Sequence, residues 1–304
     1  MSTYHWRNSD CKEFADNFNI LCNSRPRWQV WSDFVHMAAY AISNACDTYH
    51  KENREAAYLT ISKKYSKAEM ETVSRLLAIT VTALEKNPDQ DFLGELYMRL
   101  ELGNSHAGQF FTPYNISRMM AEMYADDVPS KIDEKGYISV SDCCIGGGAM
   151  LVAFANALRM HNVYYHDCVM FVGQDIDHTV AMMAYIQLSL LGCPGYVVVG
   201  NSLTEPLENN VLFAPMDREV FITPFYFTQV WETRRYLQII DATLKEIDVE
   251  SEPKDINIEL EENCAKAEMS VATQKEHTNS HSDIEVMRSE DNPNEVVQLT
   301  FYDL

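Results

Sequence analysis

The stretch that decides the fold runs from Ile138 to Phe154 and reads ISVSDCCIGGGAMLVAF. A short β-type run ends at Asp142, three glycines follow at 146–148, and a helical pattern begins near Met150. Glycines let a backbone approach a ligand closely, and the N–H groups at the start of a helix face it. The segment predicts a strand, a glycine turn and a helix that bind a nucleotide, with an ordinary tight turn as the alternative.

A carboxylate follows the next predicted strand, in Gly173 to Asp177 (GQDID). In nucleotide-binding α/β folds an acid at this place accepts hydrogen bonds from ribose hydroxyls. Asp175 is the predicted acceptor and Asp177 the alternative. The same acid would serve NAD, but the loop is GGG and not GxGxxG, which weakens that interpretation.

The chain divides by pattern into a helical part, residues 1–105, and a mixed part, residues 106–247. In the first, apolar residues recur at helical spacing in three segments: Trp28 to Ala45, Ser66 to Leu84, and Asp91 to Glu101. Ser66 and Glu69 form a candidate capping box. In the second, β-rich runs at 136–141, 168–173, 196–199 and 219–222 alternate with helices at 149–160 and 178–191. This alternation predicts βαβ units and a parallel sheet.

Composition bounds the function. The formal net charge is −21, whereas a protein that grips DNA by itself usually presents a basic surface. The eight cysteines show no spacing suited to zinc, so we expect free thiols and no metal site. Residues 248–295 are acidic and poor in aromatics, which predicts a disordered tail. Without an apolar leader or a membrane-length apolar run, we expect a cytoplasmic protein.

Four motifs carry a resemblance to a known family. Asp142 to Leu151 (DCCIGGGAML) resembles the DPACGSGGFL motif of adenine-N6 DNA methyltransferases, and Gly108 to Pro113 (GQFFTP) resembles their GQFYTP element. GQDIDHTVAMMAYIQLSLLG at 173–192 and GNSL at 200–203 are similar to GxEIDxxTxxLAxMNLxLHG and GDTL. The chain thus resembles this family, especially the methylation subunits of type I restriction-modification systems. The resemblance implies a Rossmann-like methyltransferase sheet behind an N-terminal helical domain.

The resemblance also implies S-adenosylmethionine as the cofactor. Asn201 stands where the family has an aspartate, but its amide oxygen can still accept a hydrogen bond. Plain core packing is the alternative role for Phe110, Phe111 and Ile176. The residues implied to bind the cofactor are Gln109, Phe111, Thr112, Pro113, Asp142, Gly146, Gly148, Asp175, Asp177 and Asn201.

The catalytic signature departs from the family. Thr223 to Tyr226 (TPFY) resembles the (D/N)PP(Y/F) element, which implies that Thr223, Pro224 and Tyr226 act on the target base. Threonine replaces the usual acceptor and phenylalanine the second proline, and this puts full activity in doubt. After the helix predicted at 230–247 no further strands of a complete methyltransferase sheet follow. Arg234 and Arg235 are either phosphate contacts or a solvated face.

The resemblance therefore implies a DNA methyltransferase that transfers a methyl group from S-adenosylmethionine to adenine N6. We expect it to need a specificity or completing subunit to hold DNA. The alternative is a catalytically impaired, cofactor-binding partner subunit; methylation of RNA or protein amines is a third interpretation.

The last residues, 296–304, are apolar (VVQLTFYDL). Gln298, Leu299, Phe301 and Tyr302 resemble the short peptide by which bacterial proteins dock on the sliding clamp. A terminal strand that packs on the protein's own sheet is the alternative.

Overall fold

The computed structural model describes residues 8–102, 111–207, 210–251 and 298–300. Helices come first in this part of the chain. The capping box predicted for the fourth helix is present, since the Ser66 side chain and the Glu69 side chain each bond to the other's backbone N–H. The helices are α1 (Ser9–Leu21), α2 (Arg27–Cys46), α3 (Lys51–Ser62), α4 (Lys67–Lys86) and α5 (Phe92–Arg99).

The mixed part begins with two helices that lead into the sheet. Its elements are α6 (Tyr114–Ala125), α7 (Val128–Lys135), β1 (Ile138–Asp142), α8 (Ala149–Met160), α9 (Tyr165–Cys168), β2 (Val169–Asp175), α10 (His178–Leu190), β3 (Gly195–Val199), β4 (Glu219–Ile222), a 3-10 turn (Pro224–Phe227), α11 (Gln229–Ser251) and β5 (Gln298–Thr300). The strands and helices predicted from the sequence are all present, with ends shifted by a few residues.

The sheet has the order β4-β3-β2-β1-β5. Strands β1, β2, β3 and β5 are parallel, as predicted, so the carboxyl ends of β1, β2 and β3 meet at one edge. Strand β4 is antiparallel to β3, with Ile222 opposite Tyr196. The prediction of a parallel fourth strand is therefore wrong, because the described residues between Val199 and Glu219, 200–207 and 210–218, form turns and not the crossover helix that parallel strands need.

The terminal segment pairs with the sheet. Gln298 lies opposite Ser139 and Thr300 opposite Ser141, which makes β5 a parallel neighbour of β1. This is the alternative considered for the apolar end of the chain, and it gives docking on a sliding clamp no support. Phe301 and Tyr302, the other residues of the clamp-like peptide, lie outside the described residues.

One hydrophobic core crosses the predicted boundary at residue 105. It joins Trp31 and Phe92 of the helical part to Phe154 of α8 and Phe171 of β2. Helix α10 is buried along nearly its whole length, which explains its apolar residues on every face. A second core lies against other residues of the same strands and includes Tyr196, Tyr226 and Trp231.

Side chains hold the outermost strand, β4, to the helices. The buried guanidinium group of Arg54 on α3 donates to the Val220 carbonyl oxygen and, at 2.7 Å, to Asp47. The Tyr185 hydroxyl of α10 donates to the Ile222 carbonyl oxygen at 3.2 Å. Arg54 also lies over the Phe221 ring, 4.3 Å from its centre. The helical part and the sheet are thus joined by polar contacts as well as by apolar packing.

Contacts divide the chain into two units, residues 1–235 with 296–304, and residues 236–295. Of the second unit the structure describes the continuation of α11, where Tyr236, Leu237 and Ile240 are exposed. Helix α11 extends to Ser251, so residues 248–251 are helical and not disordered as predicted; the rest of the predicted tail lies outside the described residues. No helix in the described part is long and apolar enough to cross a membrane.

Candidate cofactor site

The loop between β1 and α8 is shaped by glycines with left-handed backbones. Gly146 has φ +52° and Gly148 has φ +93°, a region that residues with a Cβ atom rarely adopt. A Cβ on Gly148 would lie 3.1 Å from the Ala184 Cβ of α10. Gly148 therefore lets α10 approach the loop, a packing role that the sequence pattern alone did not reveal.

The predicted pairing of the glycine loop with the acid after β2 is present. The Gly146 N–H donates to Asp175 Oδ2 at 2.8 Å, and the Asp177 N–H donates to Asp175 Oδ1 at 2.9 Å. Asp177 itself caps α10, since its Oδ1 accepts from the N–H groups of Thr179 and Val180. Of the two acids, Asp175 is therefore the one directed at the loop.

Asp142 ends β1 as a buried carboxyl group with 4% of its surface exposed. Its Oδ1 accepts a hydrogen bond from the Cys144 N–H at 3.0 Å. Burial, and then the negative charge of Asp175, raise the pKa of Asp142 to about 6. Burial also raises the pKa of Asp175. Two carboxyl groups at the edge of one loop create a place that favours a cation.

A cavity of about 230 Å³ opens beside the loop. Asp142 and Gly146 line it as predicted positions, together with Phe111 and Thr112 from the chain before α6. The complete lining is Phe111, Thr112, Met120, Asp142, Cys144, Ile145, Gly146, Gly147, Ala149 and Met150. The sequence did not predict Met120, Cys144, Ile145, Gly147, Ala149 and Met150, although the last five belong to the loop and the helix start that it had singled out.

Phe111 covers the glycine loop. Its ring lies 3.4 Å from the points where Cβ atoms on Gly146 and Gly147 would stand. On its other side it stacks on Tyr97, with ring centres 5.3 Å apart. Phe111 therefore contacts the core and lines the cavity at once. Pro113 precedes α6 and is outside the cavity lining, and Gln109 lies outside the described residues.

The remaining predicted positions lie along the open edge of the sheet. The Asn201 side-chain oxygen accepts from the Leu203 N–H at 3.0 Å, and Gly200 N–H donates to the Asp175 carbonyl oxygen. Ile176 is 71% exposed and Leu203 91% exposed. Ile176 is therefore not a core residue. Asp175, Asp177, Asn201 and Gly148 do not line the cavity itself.

The predicted catalytic segment lies elsewhere. Thr223 is fully buried; its hydroxyl donates to the Cys193 carbonyl at 2.7 Å and accepts from the Gly195 N–H at 2.9 Å. Because β4 is antiparallel, Thr223 lies beside the amino-terminal end of β3, at the edge opposite Asp142 and Asp175. The catalytic assignment of Thr223, Pro224 and Tyr226 is therefore corrected.

Pro224 and Tyr226, the other two residues of this segment, also have structural roles. Pro224 starts the 3-10 turn. The Tyr226 hydroxyl donates to the Leu212 carbonyl at 2.9 Å and accepts from the Ala214 N–H at 3.1 Å. The segment resembles the family's catalytic element in sequence, whereas in the structure its side chains stabilise a turn.

The arginine pair at the start of α11 contacts its own chain. Arg234 donates to the Gly136 carbonyl oxygen at 3.0 Å and lies over the Trp231 ring. Arg235 donates to the Tyr226 carbonyl oxygen at 3.0 Å and lies over the Tyr226 ring. These two side chains therefore form neither of the arrangements considered from the sequence, a solvated face or a phosphate contact.

A largely parallel α/β sheet with a glycine loop and an acid at neighbouring carboxyl ends defines a Rossmann-like, nucleotide-binding class of protein. The family model described as N-6 DNA Methylase matches residues 89–254, more than half of the chain. The chain belongs to this family. No curated protein matches it.

Two solved structures are similar to the chain. One, from Listeria monocytogenes, is described as a class I S-adenosylmethionine-dependent methyltransferase; it has 16% identity and a TM-score of 0.36, with 69% of this chain and 62% of that chain covered. The other is the type I restriction-modification system methyltransferase subunit from Streptococcus thermophilus, with 15% identity, a TM-score of 0.35, and coverages of 66% and 60%. The chain thus spans about six tenths of the length of both.

Proposed function

We propose that the cavity at the glycine loop binds S-adenosylmethionine and that the chain is a DNA methyltransferase acting on adenine N6. The observation that carries the proposal is the buried Asp142 carboxyl group in the wall of this cavity. A buried carboxylate that accepts a single N–H from the described part of the chain is poorly stabilised and favours a cationic ligand. S-adenosylmethionine carries an ammonium group and a sulfonium group, and when bound it supplies an activated methyl group.

The rest of the lining suits the same ligand. Met120, Ile145 and Met150 give the cavity apolar walls for an aliphatic chain. A cavity of about 230 Å³ is smaller than the roughly 300 Å³ at which ligand pockets usually begin. We therefore expect only the amino-acid end of the cofactor inside it. The exposed side chain of Ile176, which follows Asp175 in the chain, and the Asp175 carboxylate offer an apolar surface and an acceptor for a nucleoside at the open edge.

DNA binding is proposed to need a partner. The net charge of −21 opposes unaided binding to a phosphate backbone. The arginine pair at 234–235 is engaged within the chain. A specificity or completing subunit with a basic surface would supply both the affinity for DNA and the sequence specificity.

One observation favours a second candidate function, a cofactor-binding partner subunit without its own catalysis. The chain contains no Pro-Pro pair, and its nearest substitute, Thr223 to Tyr226, lies at the opposite edge of the sheet. The family's (D/N)PP(Y/F) element, which supplies the acceptor for the adenine amino group, is therefore missing from the described residues around the cavity.

Calorimetry with S-adenosylmethionine tests the cofactor, using the wild type, Asp142→Ala and, as a matched control, the largely exposed acid replaced in Asp126→Ala. We expect binding to the wild type and the control but not to Asp142→Ala. Mass spectrometry of DNA from cells that express the protein, with and without candidate partner subunits, tests for N6-methyladenine. Cofactor binding without methyladenine in any of these cells selects the second candidate, and absence of binding to the wild type rejects both.

A further inference from the structure

Gln187 is a fully buried amide in the apolar helix α10. Its Nε2 donates to the Gly147 carbonyl oxygen at 2.8 Å and to Asp91 Oδ1 at 2.8 Å. Its Oε1 accepts from the Leu93 N–H at 3.2 Å. One side chain therefore bonds to the glycine loop and to the start of α5 with all of its polar atoms.

The loop is held between two supports. On the side of β2, Asp175 accepts from the Gly146 N–H and the Gln174 carbonyl oxygen accepts from the Ile145 N–H at 3.0 Å. On the side of α10, Gln187 holds the peptide between Gly147 and Gly148 through the Gly147 carbonyl oxygen. Glycine backbones have the widest conformational freedom, so the orientation of these peptides depends on such external bonds.

Asp91 fixes Gln187 in turn. It caps α5, and its Oδ1 accepts from the Gly94 N–H at 2.9 Å as well as from Gln187. A Cβ on Gly94 would stand 2.0 Å from Asp91 Oδ2, so the glycine leaves room for this carboxyl group. The amide of Gln187 is thus held in one orientation, with its second N–H directed at the loop.

We propose that Gln187 is a positioning residue for the methyltransferase reaction, which orients the Gly147 peptide so that the loop presents its cavity side to the cofactor. The inference rests on the proposed function, because it assigns Gln187 a part in binding S-adenosylmethionine at the same site. Gln187 does not line the cavity and acts through Gly147, which does.

The test compares two buried amides. Gln187→Met removes the donor and keeps the length of the side chain. Asn156 on α8 supplies the control, because its Nδ2 donates to the carbonyl oxygens of Pro88 and Val152, at 2.8 and 2.9 Å, without contact to the loop. Asn156→Leu therefore removes a similar pair of buried hydrogen bonds elsewhere. Gln187→Asn, which keeps the amide but shortens its reach, serves if Gln187→Met does not fold.

Calorimetry with S-adenosylmethionine and hydrogen exchange of the peptide 145–151 are measured on each folded variant. We expect the Kd of Gln187→Met, or of Gln187→Asn, to rise about tenfold, the equivalent of one well-made hydrogen bond, with faster exchange in the loop. Asn156→Leu should bind as the wild type does. Equal Kd values for all variants, or equal weakening in the Gln187 and Asn156 variants, overturn the positioning role. Absence of binding to the wild type instead rejects the proposed function, and the role of Gln187 with it.

Discussion

His36 Nε2 on α2 lies 2.6 Å from His178 Nδ1 at the start of α10. His36 Nδ1 faces the Ser32 carbonyl oxygen at 2.6 Å, and His178 Nε2 faces Glu219 Oε1 at 2.5 Å. Both oxygens accept, so both of these nitrogens carry protons. One of the two rings then donates to the other between His36 Nε2 and His178 Nδ1. The chain of bonds joins the helical part to the edge of the sheet that carries Asp175.

The first prediction concerns this network. Burial, followed by repulsion from His178, lowers the pKa of His36 below its ordinary 6.5, although Asp33 and Glu219 oppose the shift. The unfolded chain therefore takes up a proton before the folded chain does, and stability falls as the pH drops below 6.5. His36→Leu should lower the free energy of unfolding by about 1 kcal/mol at pH 7 through lost hydrogen bonds.

Urea denaturation of His36→Leu between pH 5 and pH 7.5 checks this expectation. The variant should lose less stability on acidification than the wild type, because it lacks the group that resists protonation. The hydrogen bond from His178 lowers the pKa of Glu219 below its ordinary 4.5, so the contribution of Glu219 is lost only below this pH range and does not affect the comparison. If the stability of the two proteins changes with pH in the same way over the whole range, the lowered pKa of His36 is contradicted.

The second prediction is that the Asp142 carboxylate destabilises the folded protein while it favours binding of the cofactor. The carboxyl group has its pKa raised to about 6, so its ionised form destabilises the folded state above pH 6, and this penalty disappears below its ordinary value of 3.8. Asp142→Asn keeps an oxygen for the Cys144 N–H. We expect it to stabilise the cofactor-free protein by up to about 3 kcal/mol at pH 8, and to bind the cofactor weakly. Denaturation at pH 8 and pH 3 measures the difference, which should vanish at the lower pH; a less stable variant at pH 8 would reject this account.

The third prediction separates backbone strain from crowding at two glycines. An alanine at position 148 would have a left-handed φ and would contact the Ala184 methyl group. We therefore expect Gly148→Ala to lower the free energy of unfolding by about 2–4 kcal/mol. Gly136 has φ +78° with no atom within 4 Å of a Cβ, so Gly136→Ala should cost only the strain, about 1–2 kcal/mol. If denaturation shows the same decrease in the free energy of unfolding for both variants, α10 must shift at Ala184 to make room for the added methyl group.

The fourth prediction tests the corrected role of Thr223. Thr223→Val keeps the shape and removes the hydroxyl that bonds to Gly195 and Cys193, which should cost about 2–3 kcal/mol because both backbone groups are buried. Binding of S-adenosylmethionine should be unchanged, since the residue lies at the far edge of the sheet. A stable variant with impaired binding or methylation would restore the catalytic interpretation.

The sequence predicted the elements near the cofactor loop well because periodicity and glycines act locally. Helix α8 begins and ends at the predicted residues, and Asp175 faces Gly146 as expected. The direction of β4 was missed, although the lack of a helical pattern between β3 and β4 was a usable signal. Helix α3 was missed because Arg54 is its one buried residue among those described, so it has no apolar stripe. The TPFY segment misled because a four-residue match carries no information about which edge of the sheet it occupies.

The contacts of Arg54 and Tyr185 with β4 have a consequence for assembly. A strand at the margin of a sheet normally offers unpaired carbonyl groups as a template for another chain. Here the carbonyl oxygens of Val220 and Ile222 are already taken by side chains of α3 and α10. Growth of the sheet by a strand from a second molecule is therefore disfavoured at this margin, which protects the protein from edge-to-edge aggregation.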